Sequence, residues 1–212
     1  MAIPKAKLIP SQYFHIYNRG IDGTNIFLKH ENYQHFLATW ATYIEPIAET
    51  YAYCLLSNHF HALVRIRDLD VILKGLDEDS PIQFIHKVIE NPSLFISNQF
   101  GHCFNSYAQS INHRYGRTSG LFEGTFSRIW VDNAFYYANL IHYIHKNPEK
   151  HGFVEDYKDY PHSSYNAHLS IKPTLLMREA VLSMFGGTNL YEGFHKQAVD
   201  EKLIKDYIIE KD

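Results

Sequence analysis

Cysteine is nearly absent from this chain: 212 residues include two, Cys54 and Cys103, and neither sits in a Cys-x-x-Cys pair. A disulfide framework, a zinc ribbon and a thioredoxin-type motif are excluded, and both thiols are expected to be buried in a reducing compartment. No apolar run is long enough to span a bilayer, and Met1-Ala2-Ile3-Pro4-Lys5 lacks a secretory apolar segment, so the expected location is cytoplasmic. The Gly-x-x-x-x-Gly-Lys loop of P-loop phosphoryl transfer is missing. Positive charge is also scarce. Twenty Lys and Arg against 23 Asp and Glu give a net charge of -3 and a pI near 6.5, which argues against indiscriminate binding to polyanions. Any positive field must be local. There is no internal repeat and no low-complexity segment.

What is present is an ordinary apolar content of 45%, enough at this length for one well-buried domain, with an unusual load of 14 His and 16 Tyr. Many aromatics interspersed with Arg and Lys suit base stacking and phosphate contact. Tyr13 to Asn18 reads as a first strand and Glu31 to Tyr43 as a helix closed by Pro46. Thr50 to Leu56 and His59 to Arg67 read as two more strands, and acidic Asp68 to Ser80 as a loop. Helices follow from Pro81 and after Asn91-Pro92, then a strand over Thr125 to Val131. A helix from Ala134 to about His145 is expected to end at Lys146-Asn147-Pro148, and short helices over Leu175 to Met184 and Tyr191 to Ile209 complete the chain. This order predicts an α+β, ferredoxin-like antiparallel sheet with helices packed on its faces, plus a helical C-terminal extension. The division is 1–165 for the domain and 166–212 for the extension.

The triplet His59-Phe60-His61 lies in an apolar, partly β-branched run. Side chains two apart on a strand share a face, so His59 and His61 converge while Phe60 and Ala62 pack behind them. Two imidazoles on a rigid strand form a bidentate half-site for a divalent metal; the plain alternative is two histidines sharing a partly exposed face. Imidazoles alone favour zinc, whereas a carboxamide and phosphate oxygens favour magnesium or manganese. On the later helix, Tyr143 and Asn147 stand four apart and share a face. Asn147 offers a hard neutral oxygen. Tyr143 offers a phenol that is a poor nucleophile at its free pKa of about 10 until its proton is removed near a polarised phosphate. Tyr143 is otherwise one more tyrosine of an amphipathic helix.

These pieces are joined by Tyr17-Asn18-Arg19-Gly20, Ser57-Asn58 before the triplet, Asn112-His113-Arg114-Tyr115-Gly116-Arg117 and Leu121-Phe122-Glu123-Gly124-Thr125-Phe126. Further on stand His142-Tyr143-Ile144-His145-Lys146-Asn147-Pro148 and Tyr160-Pro161-His162-Ser163-Ser164-Tyr165. In this order, over about Tyr13 to Tyr165, the set resembles the HUH-type single-strand DNA transposases, specifically the REP-associated tyrosine transposases of the IS200-like group. The resemblance implies His59, His61 and Asn147 as ligands of Mg2+ or Mn2+ and Tyr143 as nucleophile. The implied reaction cleaves single-stranded DNA through a 5′-phosphotyrosine link and rejoins it, at hairpin or palindromic repeats. With one catalytic tyrosine, strand exchange calls for a homodimer or successive reactions. Arg114, Arg117, Arg128, Lys146 and Lys150 are candidates for a local basic groove, and Tyr115, Phe122 and Phe126 for stacking on bases.

The chain departs from the family pattern at Phe122 and His162, where tryptophan is usual, and at Thr125, where a basic residue is usual. The missing basic residue and the acidity favour an alternative, a host-retained protein that binds DNA hairpins without effective cleavage, while the intact His59, His61, Tyr143 and Asn147 speak against it. A third reading is an unrelated metallohydrolase using His59, His61 and another histidine such as His113.

Overall fold

The computed structural model describes residues 6–76 and 80–198. Its sheet is built from β1 (Tyr13–Arg19), β2 (Ala48–Leu55), β3 (His59–Ile66) and β4 (Ser127–Val131), in the order β2-β3-β1-β4 with every neighbouring pair antiparallel. β1 and β3 are therefore central. Helix α1 (His30–Tyr43) connects β1 to β2, and α2 (Leu69–Lys74), α3 (Ile82–Glu90) and α4 (Pro92–Tyr115) connect β3 to β4. The expected ferredoxin-like α+β architecture is what the chain adopts.

The two faces of the sheet carry different sequences because side chains alternate. Phe14 and Ile16 of β1 and Phe60, Ala62 and Val64 of β3 point to one face, where α1 and α4 cover them with Phe36, Trp40, Phe100, Phe104 and Tyr107. Each fully buried phenylalanine here contributes roughly 2–3 kcal/mol. Helix α4 starts at Asn91, whose side chain accepts from the Leu94 amide, has Pro92 in its first turn, and stops at Gly116 in the left-handed region. Both cysteines are buried free thiols, and burial pushes the Cys103 thiol up to about 12 and the Cys54 thiol well above its ordinary value.

The opposite face carries His15 and Tyr17 of β1, His61 and Leu63 of β3, and Ala52 and Cys54 of β2. Helix α5 (Ala134–Lys150) crosses β2 and β3 there, burying Leu140, Ile141, Tyr143 and Ile144. Two expectations fail here. Helix α5 does not end before Pro148 but carries it in its last turn, and the His151 amide still donates to the Asn147 carbonyl at 3.0 Å. Packing against the sheet offsets the one hydrogen bond that proline removes. The acidic loop after Asp68 instead begins with the short helix α2, held by burial of Ile72 in the core.

The chain then covers the outer edge of β2. The Leu55 amide donates to the His162 carbonyl, the Tyr53 amide to Ser164 Oγ and the Met177 amide to the Thr50 carbonyl, each at 2.9 Å. An exposed sheet edge is thereby closed. Helices α6 (Tyr165–Leu169), α7 (Arg178–Phe185) and α8 (Thr188–His195) pack on the α5 layer. His145 of α5 lies 2.9 Å from His195 of α8 and 2.7 Å from Ser164 Oγ. Of the expected helix from Tyr191 to Ile209, the part beyond 198 lies outside the described residues. No helix among the described residues is long and apolar enough to cross a membrane.

Candidate active site

The histidine strand and the α5 tyrosine meet on one face of the sheet. His59 and His61 turn to the same side, ring centroids 5.2 Å apart, while Phe60 packs behind them. The Tyr143 ring stands edge-on to His61 at 5.7 Å, and the His151 ring, two helical turns further on, stands edge-on to His59 at 5.1 Å. Tyr143, Asn147 and His151 are spaced by four, so they form one stripe along the end of α5 and the turn that follows it, with Asn147 between two residues that each touch a histidine of β3.

The hydrogen bonds define which atoms are available. His59 Nδ1 lies 2.7 Å from the Asn58 side-chain oxygen, which can only accept. Nδ1 therefore donates to that oxygen, which fixes the orientation of the ring. His61 is buried, its Nδ1 lies 2.9 Å from His15 Nε2, and its own Nε2 has no hydrogen-bond partner among the described residues. Asn147 is fully buried and donates through Nδ2 to the Tyr143 carbonyl at 3.3 Å, while its Oδ1 accepts nothing among the described residues. Leaving a buried acceptor unsatisfied costs about 1–3 kcal/mol, so such atoms call for an explanation.

Burial, followed by the crowding of His15, His59, His151 and Lys150, holds the His61 pKa well below its ordinary value and keeps the ring neutral. The described residues contain no cluster of three or more His, Cys, Asp or Glu side chains arranged to hold a metal. What faces the β3–α5 boundary is different: two imidazoles of β3, with a carboxamide on the helical stripe between Tyr143 and His151. The orphaned Nε2 of His61 and Oδ1 of Asn147, beside the His59 imidazole, are donor types that suit a divalent cation.

The candidate cations divide between the two layers. Lys150 projects over the Tyr143 ring, Nζ 5.3 Å from its centroid. Lys146 lies on the same helix but is engaged by Glu149 at 3.0 Å and lies over Tyr157 at 4.3 Å. Arg128 is paired in register with Ile16, so it points to the opposite face, where it donates to Ser97 Oγ of α4 at 2.7 Å and lies over Phe126. Arg114, Tyr115 and Arg117 sit at or just past the end of α4 on that same layer, with the Tyr115 hydroxyl donating to Asn32. Phe122 and Phe126 pack against the α1–α4 core, and His113 is exposed in the last turn of α4. The structure thus brings Lys150, and not these α4 and β4 residues, to Tyr143.

Three residues at the site were given no role by sequence. Tyr17 lies directly opposite His61 in the β1–β3 register and stacks on it at 5.8 Å, and His15 approaches it diagonally. His151 extends the Tyr143–Asn147 spacing by another four, a signal hidden behind Pro148.

The sequence segments that carried the resemblance also meet in space. The Gly20 amide donates to the Asn58 carbonyl at 2.7 Å, the Ile21 amide to the Leu121 carbonyl at 3.1 Å, and the Glu123 amide to the Arg19 carbonyl at 2.8 Å. The Ile26 and Phe27 amides both reach the Ser57 carbonyl. These turns frame the end of β3 from which His59 projects.

No family model matches the chain. Over 118 residues it is 29% identical to a protein of Haemophilus influenzae provisionally named REP-associated tyrosine transposase, a match covering 56% of this chain. The chain spans 59% of that relative's length. Its fold matches a solved structure of a REP-associated tyrosine transposase bound to a REP hairpin with a TM-score of 0.53 at 16% identity, over 82% of this chain and 89% of that one. The chain is therefore similar in sequence to a protein provisionally so named and shares its fold with a REP-associated tyrosine transposase.

Proposed function

We propose that this protein is a transposase that cleaves and rejoins single-stranded DNA at hairpin or repeat sequences, with Tyr143 as nucleophile. The observation that carries the reading is the Tyr143 phenol ring packed beside His61 on the same helical stripe as the orphaned Asn147 oxygen. His59, His61 and Asn147 would hold Mg2+ or Mn2+, which when bound orients a phosphate and offsets charge growing on its oxygens.

In cleavage, Tyr143 Oη forms a bond to a backbone phosphorus as the bond from phosphorus to the 3′ oxygen breaks. The phenolic proton passes to a base or water, and the departing strand end leaves as a 3′-hydroxyl. Lys150, close to the ring, favours the developing phenolate. The 5′-phosphotyrosine retains the phosphodiester's energy, so attack by a 3′-hydroxyl on it rejoins strands without ATP. One tyrosine per chain means that exchange between two cut strands uses a homodimer or successive reactions. Peptide mapping of a trapped protein–DNA adduct tests this reading: the expected mass addition falls on Tyr143, and an adduct mapped to another residue overturns the assignment.

A second reading, a protein that binds hairpins without effective cleavage, is favoured by the burial of Tyr143, a residue only 1% exposed. A nucleophile must reach its phosphate, so activity requires α5 or its covering segments to open on DNA. Tight hairpin binding with no adduct under any metal condition supports this second reading.

A further inference from the structure

We propose that His15 is a positioning residue that fixes His61 as its Nδ1–H tautomer and so keeps His61 Nε2 unprotonated for a divalent cation. The inference rests on the metal-dependent reading above and extends it to a residue of a different strand.

His15 is fully buried on β1, and its Nε2 lies 2.9 Å from His61 Nδ1 with the two rings stacked at 5.1 Å and 23°. Two neutral imidazoles share one proton across such a contact, so one nitrogen donates and the other accepts. If His15 donated, His61 would carry its proton on Nε2, a buried N–H with no partner among the described residues and no capacity to bind a metal. If His61 donates from Nδ1, His15 accepts and His61 Nε2 presents a lone pair. Orphaned buried N–H groups are rarer than under-used acceptors, so the second arrangement is favoured even without metal. It also repeats the arrangement at His59, where the Asn58 side-chain oxygen accepts from Nδ1–H. The two ligand histidines thus have separate outer partners, Asn58 on the strand's own turn and His15 across the sheet.

Sheet geometry holds the arrangement in place. β1 and β3 are the central strands, Tyr17 stands opposite His61 and stacks on it, and the His15 ring lies 4.9 Å from the Tyr17 ring at a 32° tilt. Outer partners of this kind typically change metal affinity by about 10–100-fold.

The test uses the full chain, its His15→Phe variant, which keeps a flat ring but cannot accept, and His15→Gln, which can accept through its carboxamide oxygen. Long-range 15N NMR of the metal-free wild type is expected to show His61 protonated on Nδ1 and bare on Nε2. In His15→Phe the Nε2–H tautomer should appear, and Mn2+ affinity by calorimetry should fall at least 10-fold. In His15→Gln both should return most of the way to wild type. A wild-type His61 protonated on Nε2, or a folded His15→Phe that binds Mn2+ as wild type does, overturns the proposal. Should His15→Phe not fold, the wild-type tautomer and the His15→Gln affinity decide it. Failure of wild type to bind Mn2+ at all contradicts the metal-dependent reading instead, and the metal-free tautomer still decides whether His15 sets His61.

Discussion

The Tyr143 ring meets the His61 ring edge-on at 5.7 Å across the boundary between α5 and β3. Nothing local in the sequence joins these residues, 82 positions apart. The contact exists because β3 is a central strand whose His61 face is the one that α5 covers.

Asn147 presents a conflict between stability and the proposed chemistry. Its Oδ1 is buried without a partner among the described residues, and its Nδ2 bond to the Tyr143 carbonyl is long at 3.3 Å. Replacing Asn147 with Leu, similar in shape and without polar atoms, should leave thermal stability unchanged or raise it by about 1 kcal/mol. The same variant should lose Mn2+ binding and adduct formation. A variant that is destabilised yet binds Mn2+ normally would assign Asn147 a purely structural role.

Gly20 and Gly101 should respond in opposite directions to alanine. A Cβ on Gly20 would stand 1.9 Å from the Thr24 carbonyl oxygen, in the turn tied to Asn58 beside the histidine strand. Gly20→Ala should cost about 2–3 kcal/mol in denaturant unfolding. Gly101 lies inside α4 with nothing within 4 Å of its missing Cβ, so Gly101→Ala should stabilise by about 0.5–1 kcal/mol. A neutral Gly20→Ala would refute the tightness of this turn.

Acid should loosen the layer around α5. Burial is the leading cause that pushes His142 and His168 down to about 4 and His195 down to about 3, from an ordinary 6.5. A histidine whose folded pKa is depressed contributes full stability above pH 6.5, because neither state then binds the proton. As pH falls below 6.5 the unfolded chain takes up protons that the fold refuses, and stability declines until about pH 3–4. A shift from 6.5 to about 4 corresponds to roughly 3 kcal/mol for one such group, and these neighbours are coupled and do not add. Urea unfolding at pH 7.5 and pH 5 should show the loss, and His168→Phe should reduce its slope. A flat profile between those values contradicts the burial of neutral histidines.

The architecture was legible wherever the signal is local. Alternation put His59 and His61 on one face and Phe60 on the other, and a spacing of four aligned Tyr143 with Asn147. Pro148 misled because its usual effect is to end a helix, whereas α5 gains more from packing on β2 and β3 than it loses in one hydrogen bond. The helix after Asp68 was hidden by acidic composition, although Leu69, Ile72 and Leu73 carry helical spacing. His15 and Tyr17 could not be found from spacing alone, since their place depends on the register Tyr17 to His61 across two strands. The same register reasoning sends Arg128 to the face away from Tyr143, which no one-dimensional reading of nearby basic residues could reveal.

Tyr143 chemistry can be read on a denaturing gel, with purified protein and end-labelled single-stranded hairpin oligonucleotides from the DNA flanking its own gene, in Mg2+ or Mn2+ and in EDTA. The expected result is a covalent adduct that requires the metal and disappears in Tyr143→Phe, while hairpin binding and the fold persist. Clear hairpin binding by wild type with no adduct, or an adduct that survives in Tyr143→Phe, would contradict it.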